Sequence, residues 1–231
     1  MTEDRQDTKN RLLDAAENLF SHKGFEEVSI RELAGAADVN VAAVNYHFQG
    51  KDNLYREVIR RRFIIQRDRT LAAIGRVLTE NNGKPPLDSL IRSIVSLYLD
   101  ASLSPKQDGA FLKLIVRESH SNGDHATPLF FKEMVAPVFR TFSNALMQAR
   151  PRLEQEQVDW IIASIIGQIH HFIMRWQKRQ SFPEDSEALQ IMLNAFPALG
   201  LPVEEYIQEV TRHITQFSKA AIDTLYPEVS P

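Results

Sequence analysis

No cysteine occurs in the 231 residues, which excludes disulfides and thiolate metal sites. The opening stretch MTEDRQDTKNR is charged and lacks the apolar centre of a signal peptide. A membrane span needs roughly 20 consecutive apolar residues, and the nearest run, residues 160–169, is interrupted by Ser164, Gly167 and Gln168. These absences predict a soluble, cytoplasmic protein with no membrane partner. An excess of positive charge is missing too: 27 Lys and Arg face 30 Asp and Glu, a net charge of −3, whereas nucleic-acid-binding domains are often strongly basic. There is no Gly-rich phosphate loop and no nucleophile elbow. The adjacent His170 and His171 diverge by about 100° on a helix, so they do not chelate one ion as an i,i+4 pair would. His120 and His125 flank a polar loop. No catalytic residue, metal or cofactor is therefore expected, and an enzyme is set aside.

What is present is organised around residues 29–51, SIRELAGAADVNVAAVNYHFQGK. Ser29 and Glu32 have the spacing of a capping box, which starts a helix. Ile30, Leu33, Ala34 and Ala37 recur every three or four residues and give that helix one apolar face. Asp38 tolerates the left-handed backbone of a sharp turn, and Asn40 suits the N-cap of a second helix ending near Phe48. Val44 and Phe48 would face inward, leaving Val41, Ala42 and Asn45 outward. A helix so presented fits the DNA major groove, where base edges can be told apart. Charge supports this locally: residues 1–69 balance 12 basic against 12 acidic side chains, but residues 39–67 carry six basic against two acidic. Of these, Arg60, Arg61 and Arg62 lie well past the second helix and read better as a solvated face.

Phe20, Gly24-Phe25, Ile30 to Ala34, Ala37-x-Val39, Tyr46-His47-Phe48, Lys51 and Leu54 follow one another in an order and spacing that resembles the DNA-binding core of the TetR family of regulators. The resemblance covers about the first quarter of the chain. The family usually carries Gly where Asp38 stands, and often Lys and Tyr where Val41 and Asn45 stand, so the base preferences implied here differ from the commonest pattern. The resemblance implies that Ser29, Arg31, Val41, Ala42, Asn45, Tyr46, His47 and Lys51 touch a double-stranded DNA operator. Arg31 and Asn45 would lie nearest bases, and Tyr46 and Lys51 nearer phosphates.

A first helix over residues 8–20 buttresses this motif through Leu12, Leu13, Ala16, Leu19 and Phe20, with Gly24 as its C-terminal cap. A fourth runs over residues 51–79 and links a DNA-binding domain (residues 1–50) to a second helical domain (residues 51–231). There, helices are expected from residue 87 and over residues 106–119. Another opens at Thr127-Pro128 and is kinked by the interior Pro137. Its Phe and Met stripe reads as core by itself. The family resemblance implies a small-molecule effector among these middle helices, with Phe111, Arg117, Phe130, Met134, Phe139 and His170 as candidate lining. An apolar or aromatic compound and an acid both remain open.

The helix over residues 154–178 is apolar nearly all round and must be covered on two sides. The last, over residues 203–225, repeats apolar residues as a three-heptad seam. Together they predict a homodimer through Trp160, Ile165, Ile169, Phe172, Ile207, Val210, Ile214 and Phe217. Two recognition helices about 34 Å apart would then meet a pseudo-palindromic site. The fold expected is all-α, a three-helix helix-turn-helix domain followed by a larger ligand-binding and dimerisation domain. The function expected is a ligand-released repressor. The alternative is a helical protein-binding adaptor, against which the small outward residues of the second helix argue, since docking faces favour aromatic and Arg anchors.

Overall fold

A computed structural model describes residues 2–104 and 127–227. Among them every regular element is helical: α1 (Thr2–Lys23), α2 (Ile30–Ala36), α3 (Val41–Phe48), α4 (Lys51–Glu80), α5 (Leu87–Leu103), α6 (Thr127–Leu129), a π-helical stretch (Phe130–Val135), α7 (Ala136–Ala149), α8 (Gln155–Gln180), α9 (Glu187–Ala195), a 3₁₀ turn (Pro197–Gly200) and α10 (Val203–Leu225). No described helix is long and apolar enough to cross a membrane. The helix expected over residues 106–119, with Phe111 and Arg117, lies outside the described residues.

Cα packing divides the chain into two compact units, Met1–Asp68 with Asp108–Pro137 and Arg69–Gln107 with Val138–Pro231. The division therefore falls inside α4 rather than at its start, because Leu54, Tyr55, Val58, Ile59 and Phe63 on its first turns are buried.

In the first unit α1 contributes Leu12, Leu13, Ala16 and Phe20 to the core. Phe20 meets Tyr55 edge-on with ring centres 5.0 Å apart, and Phe25 lies 4.9 Å from Tyr55. Gly24 stops α1 at φ 89°, a value that costs glycine little, and its N–H donates to the Phe20 carbonyl at 2.9 Å. Arg60, Arg61 and Arg62 are not simply solvated. Arg60 reaches Glu133 at 3.2 Å, Arg61 reaches Asp14 at 2.6 Å, and Arg62 pairs with Glu17. Arg67 adds a longer contact to Glu133 at 3.7 Å, and Phe130 packs 5.2 Å from Phe63.

The kink expected at Pro137 takes the form of the π-helical stretch just before it. Proline has no N–H and its ring presses on the carbonyl four residues back, here that of Glu133. Widening the preceding turn relieves the crowding. Accordingly, the Ala136 N–H donates to Phe131, five residues back.

The second unit has one apolar core. Leu90, Ile91, Ile94, Val95 and Leu99 of α5 meet Ile161, Ile162, Ile165 and Ile169 of α8 and Ile207, Val210 and Ile214 of α10. α10 packs chiefly on α5, and α8 touches both. The middle of the heptad seam expected at a subunit interface, Ile207, Val210 and Ile214, is thus turned inward, while its later members Phe217 and Leu225 are exposed. Ile165, Ile169, Ile207, Val210 and Ile214 are all buried within one chain. An apolar stripe of that width is used once, and α5 uses it. Tyr206 is buried on Trp176, with ring centres 4.5 Å apart, and its hydroxyl donates to the Phe172 carbonyl at 2.9 Å. Burial pushes that phenol up to about 12.

Candidate nucleic-acid interface

Local chemistry sets the helix-turn-helix. The Ser29 hydroxyl accepts the Glu32 N–H at 3.2 Å while Glu32 accepts the Ser29 N–H at 2.9 Å, which closes the capping box at the start of α2. After α2 the chain turns at Asp38, whose φ is 53°, and the Val39 N–H donates to Ala34 at 3.0 Å. Asn40 then caps α3, its side-chain oxygen accepting the Ala42 N–H at 2.8 Å. Leu33, Ala34 and Ala37 are buried against Val44 and Phe48, so α2 and α3 share one apolar seam.

With Val44 and Phe48 inward, the 3.6-residue period leaves Val41, Ala42, Asn45 and Tyr46 on the outer face. Val41 is 42% exposed and Tyr46 65%. Both Ala42 and Asn45 are exposed, as are Ser29 and Arg31 at the start of α2. The structure therefore brings six of the eight expected DNA-facing residues to solvent. His47 is only half-buried, its ring edge-on to Tyr46 at 5.0 Å.

Lys51 is placed differently from expectation. Its ammonium donates to the carbonyls of Phe25 at 2.8 Å and Val28 at 3.0 Å, and sits 4.2 Å from the Phe25 ring centre. Those carbonyls belong to the connection between α1 and α2, so Lys51 ties α4 to the base of the motif. One of its three donors is left for a phosphate.

Glu32 couples this geometry to pH. It also accepts from the Ser29 hydroxyl and from Lys23 Nζ, each at 2.9 Å. The Ser29 backbone bond first, then Lys23, holds its carboxyl down from 4.5 to about 2. A depressed carboxylate contributes stability that is present above its ordinary pKa and is lost as pH falls through the folded value. The urea midpoint of the wild type should therefore fall between pH 4.5 and about 2 more steeply than that of Glu32→Gln. Parallel acid profiles for the two proteins would show that the capping box is not what titrates.

Two residues on this surface escaped the sequence reading. The Arg5 guanidinium lies 5.0 Å from the Tyr46 ring centre and Lys9 Nζ lies 5.8 Å from that of Phe48. Desolvation, then Arg5 and Lys9, holds the His47 imidazole below its usual value. The available signal was the basic i,i+4 pair itself, but nothing in its spacing points to residues some 40 positions on.

The effector candidates fall into both units. Met134 is buried and Phe130 half-buried in the first, whereas Phe139 is half-buried and His170 exposed in the second. Of the interface candidates, Trp160 is 67% exposed and Phe217 59%, and Phe172 is half-buried. No cluster of three His, Asp or Glu that could hold a metal occurs among the described residues.

Comparison with known proteins adds the following. Residues 12–58 match the sequence model described as bacterial regulatory proteins, tetR family. The chain is similar to the Probable HTH-type transcriptional regulator YttP of Bacillus subtilis (strain 168), with 44% identity over 52 residues, 22% of this chain and 25% of that protein. It is similar to the HTH-type transcriptional regulator AcrR of Shigella flexneri, with 25% identity over 155 residues, 66% of this chain and 64% of that protein. The chain thus spans less than two thirds of the length of these curated relatives. Among solved structures, a transcriptional regulator (TerR/AcrR family) from Aquifex aeolicus VF5 superposes with a TM-score of 0.54 at 17% identity, covering 91% of this chain and 99% of that one. RolR in complex with resorcinol gives a TM-score of 0.51 at 16% identity, covering 100% and 99%. These two show likeness of fold.

Proposed function

We propose that this chain, whose residues 12–58 match the model of the tetR family of bacterial regulatory proteins, is a dimeric, sequence-specific transcription regulator of that family whose hold on DNA is released by a small molecule. The observation that carries the DNA-binding part is the outer face of α3. Val41, Ala42, Asn45 and Tyr46 are exposed there, while Val44 and Phe48 lock the helix from behind. A helix held so firmly by two buried residues can offer its small outward ones to base edges without bulky side chains holding it out of the groove. Asn45 reads an adenine by paired hydrogen bonds, and Val41 and Ala42 touch thymine methyls. Ser29, Arg31, Tyr46, His47 and the remaining donor of Lys51 serve the flanking bases and phosphates.

Trp160 of α8 and Phe217 of α10, with half-buried Phe172, supply the apolar surface for a second copy, because the seam behind them is already used by α5. A repressor is the favoured sense of regulation. The family resemblance is what supports an effector in the helical part that follows the reading head. Such an effector acts only in so far as it binds one arrangement of the protein more tightly than another. α4, whose residues belong to both compact units, is the segment through which that difference would reach the reading heads.

The test is selection of bound duplexes from a random DNA pool at a fixed, stated salt concentration. An inverted repeat with half-sites about one helical turn apart is expected. Asn45→Ala should then lose discrimination at one position per half-site, by about 10- to 100-fold, the weight of a bidentate base contact. A folded dimer that enriches no sequence would sink the regulator and favour the adaptor.

A further inference from the structure

The start of α1 carries an arrangement that the reading of bases by α3 does not use. Arg5 and Lys9 are one helical turn apart on α1 and meet two rings of the C-terminal half of α3, Tyr46 and Phe48. Asp7, between them in sequence, is turned away to Arg11 at 3.2 Å. Among the described residues no carboxylate pairs with either Arg5 or Lys9. Two cations spaced i,i+4 repel one another, and they sit near the helix end whose dipole is itself positive. The same two charges disfavour the protonated form of the neighbouring His47. Three cationic or potentially cationic groups thus converge beside an exposed phenol, with no counter-charge of their own among the described residues. An arrangement of that kind favours an external anion.

Tyr46, 65% exposed, is the most exposed aromatic of this motif, so the Arg5 guanidinium 5.0 Å from its ring centre lies at the solvent-facing side of α3. The bases are assigned to Val41, Ala42 and Asn45, so an anion at this end of α3 belongs to the sugar-phosphate backbone.

We propose that Arg5 and Lys9, with Tyr46 and His47, form a cradle for a DNA backbone phosphate flanking the bases read by α3, so that α1 contributes affinity that is independent of sequence. The proposal rests on the DNA-binding reading above and adds to it a contact from an element outside the helix-turn-helix. It also gives His47 a role: a phosphate beside the imidazole favours its protonated form, opposing the two neighbouring cations.

The experiment measures operator affinity against salt concentration for the full-length wild type, Arg5→Gln, Lys9→Gln and Arg5→Lys, using the duplex enriched by the wild type. Each phosphate contact contributes about 0.9 to the slope of log affinity against log salt. One phosphate per protomer is worth about 2 in a dimer, so Arg5→Gln and Lys9→Gln should each flatten the slope by about 1, half of that total, with the preferred sequence unchanged. Arg5→Lys, which keeps the charge, should restore most of the slope. A wild-type slope in both glutamine variants would overturn the cradle while leaving the regulator intact, and so would a lowered melting temperature with unchanged slope, the mark of a mere staple between α1 and α3. A wild type that enriches no sequence would instead remove the DNA-binding reading on which the cradle depends.

Discussion

Replacing Trp160 with glutamate should leave a folded monomer and weaken operator binding by at least about a hundredfold. Trp160 is 67% exposed on α8, so within one chain the substitution disturbs little, and surface changes of this kind shift stability by about 0.5 kcal/mol or less. In the proposed dimer the same position is covered twice, once by each copy. Tryptophan is enriched among residues whose truncation costs about 2 kcal/mol or more, and an uncompensated charge in a dry interface adds several more. Every 1.4 kcal/mol is about tenfold in the dissociation constant, so the two copies together shift dimerisation by orders of magnitude. Phe217→Glu, on the exposed side of α10, should do the same. Sedimentation velocity over a concentration series reads the oligomeric state, and fluorescence anisotropy with the selected duplex reads the affinity. Both variants remaining dimeric at nanomolar concentration would place the interface elsewhere.

Phe20→Ala should have the opposite signature, with operator binding lost and the dimer retained. Phe20 is fully buried and is bracketed by Tyr55 at 5.0 Å and Phe25 at 6.1 Å. Removing a buried phenyl ring costs about 3–5 kcal/mol, and the edge-on aromatic pair adds to it. Whole domains are stable by only about 5–15 kcal/mol, so the reading head would be left marginal. Trp160 and Phe217 belong to the other compact unit and keep their exposed faces. Phe20→Leu, which fills much of the same volume, should lose far less, about 1.5 kcal/mol or under. Thermal unfolding followed by circular dichroism, beside the same anisotropy assay, checks the pair. Equal operator affinity for Phe20→Ala and wild type would show that the aromatic cluster does not support α3.

Several features were legible before any fold was known because each depends on residues close together in the chain. The capping box needs only Ser29 and Glu32, the stop of α1 needs Gly24, and the entry to α3 needs Asn40. The division of α3 into an inner face of Val44 and Phe48 and an outer one of Val41, Ala42 and Asn45 follows from the helical period alone. The family resemblance was legible for the same reason, being carried by one nearly continuous stretch that coincides with residues 12–58. Pro137 announced a disturbance in its helix, although the form it takes, a π-helical turn, depends on how the preceding carbonyls find donors.

The partners of charged and apolar groups were decided by tertiary structure. Lys51 is held by the carbonyls of Phe25 and Val28, Arg60 reaches Glu133 across 73 positions, and Arg61 and Arg62 reach back to α1. Arg5 and Lys9 are carried onto α3 in the same way. A flexible cation has many carboxylates and carbonyls within its reach in sequence terms, and only the path of the chain selects among them. The heptad seam of α10 illustrates the apolar counterpart. Its period states that a face must be covered, but hydrophobic burial has no direction and does not distinguish α5 of the same molecule from a helix of another.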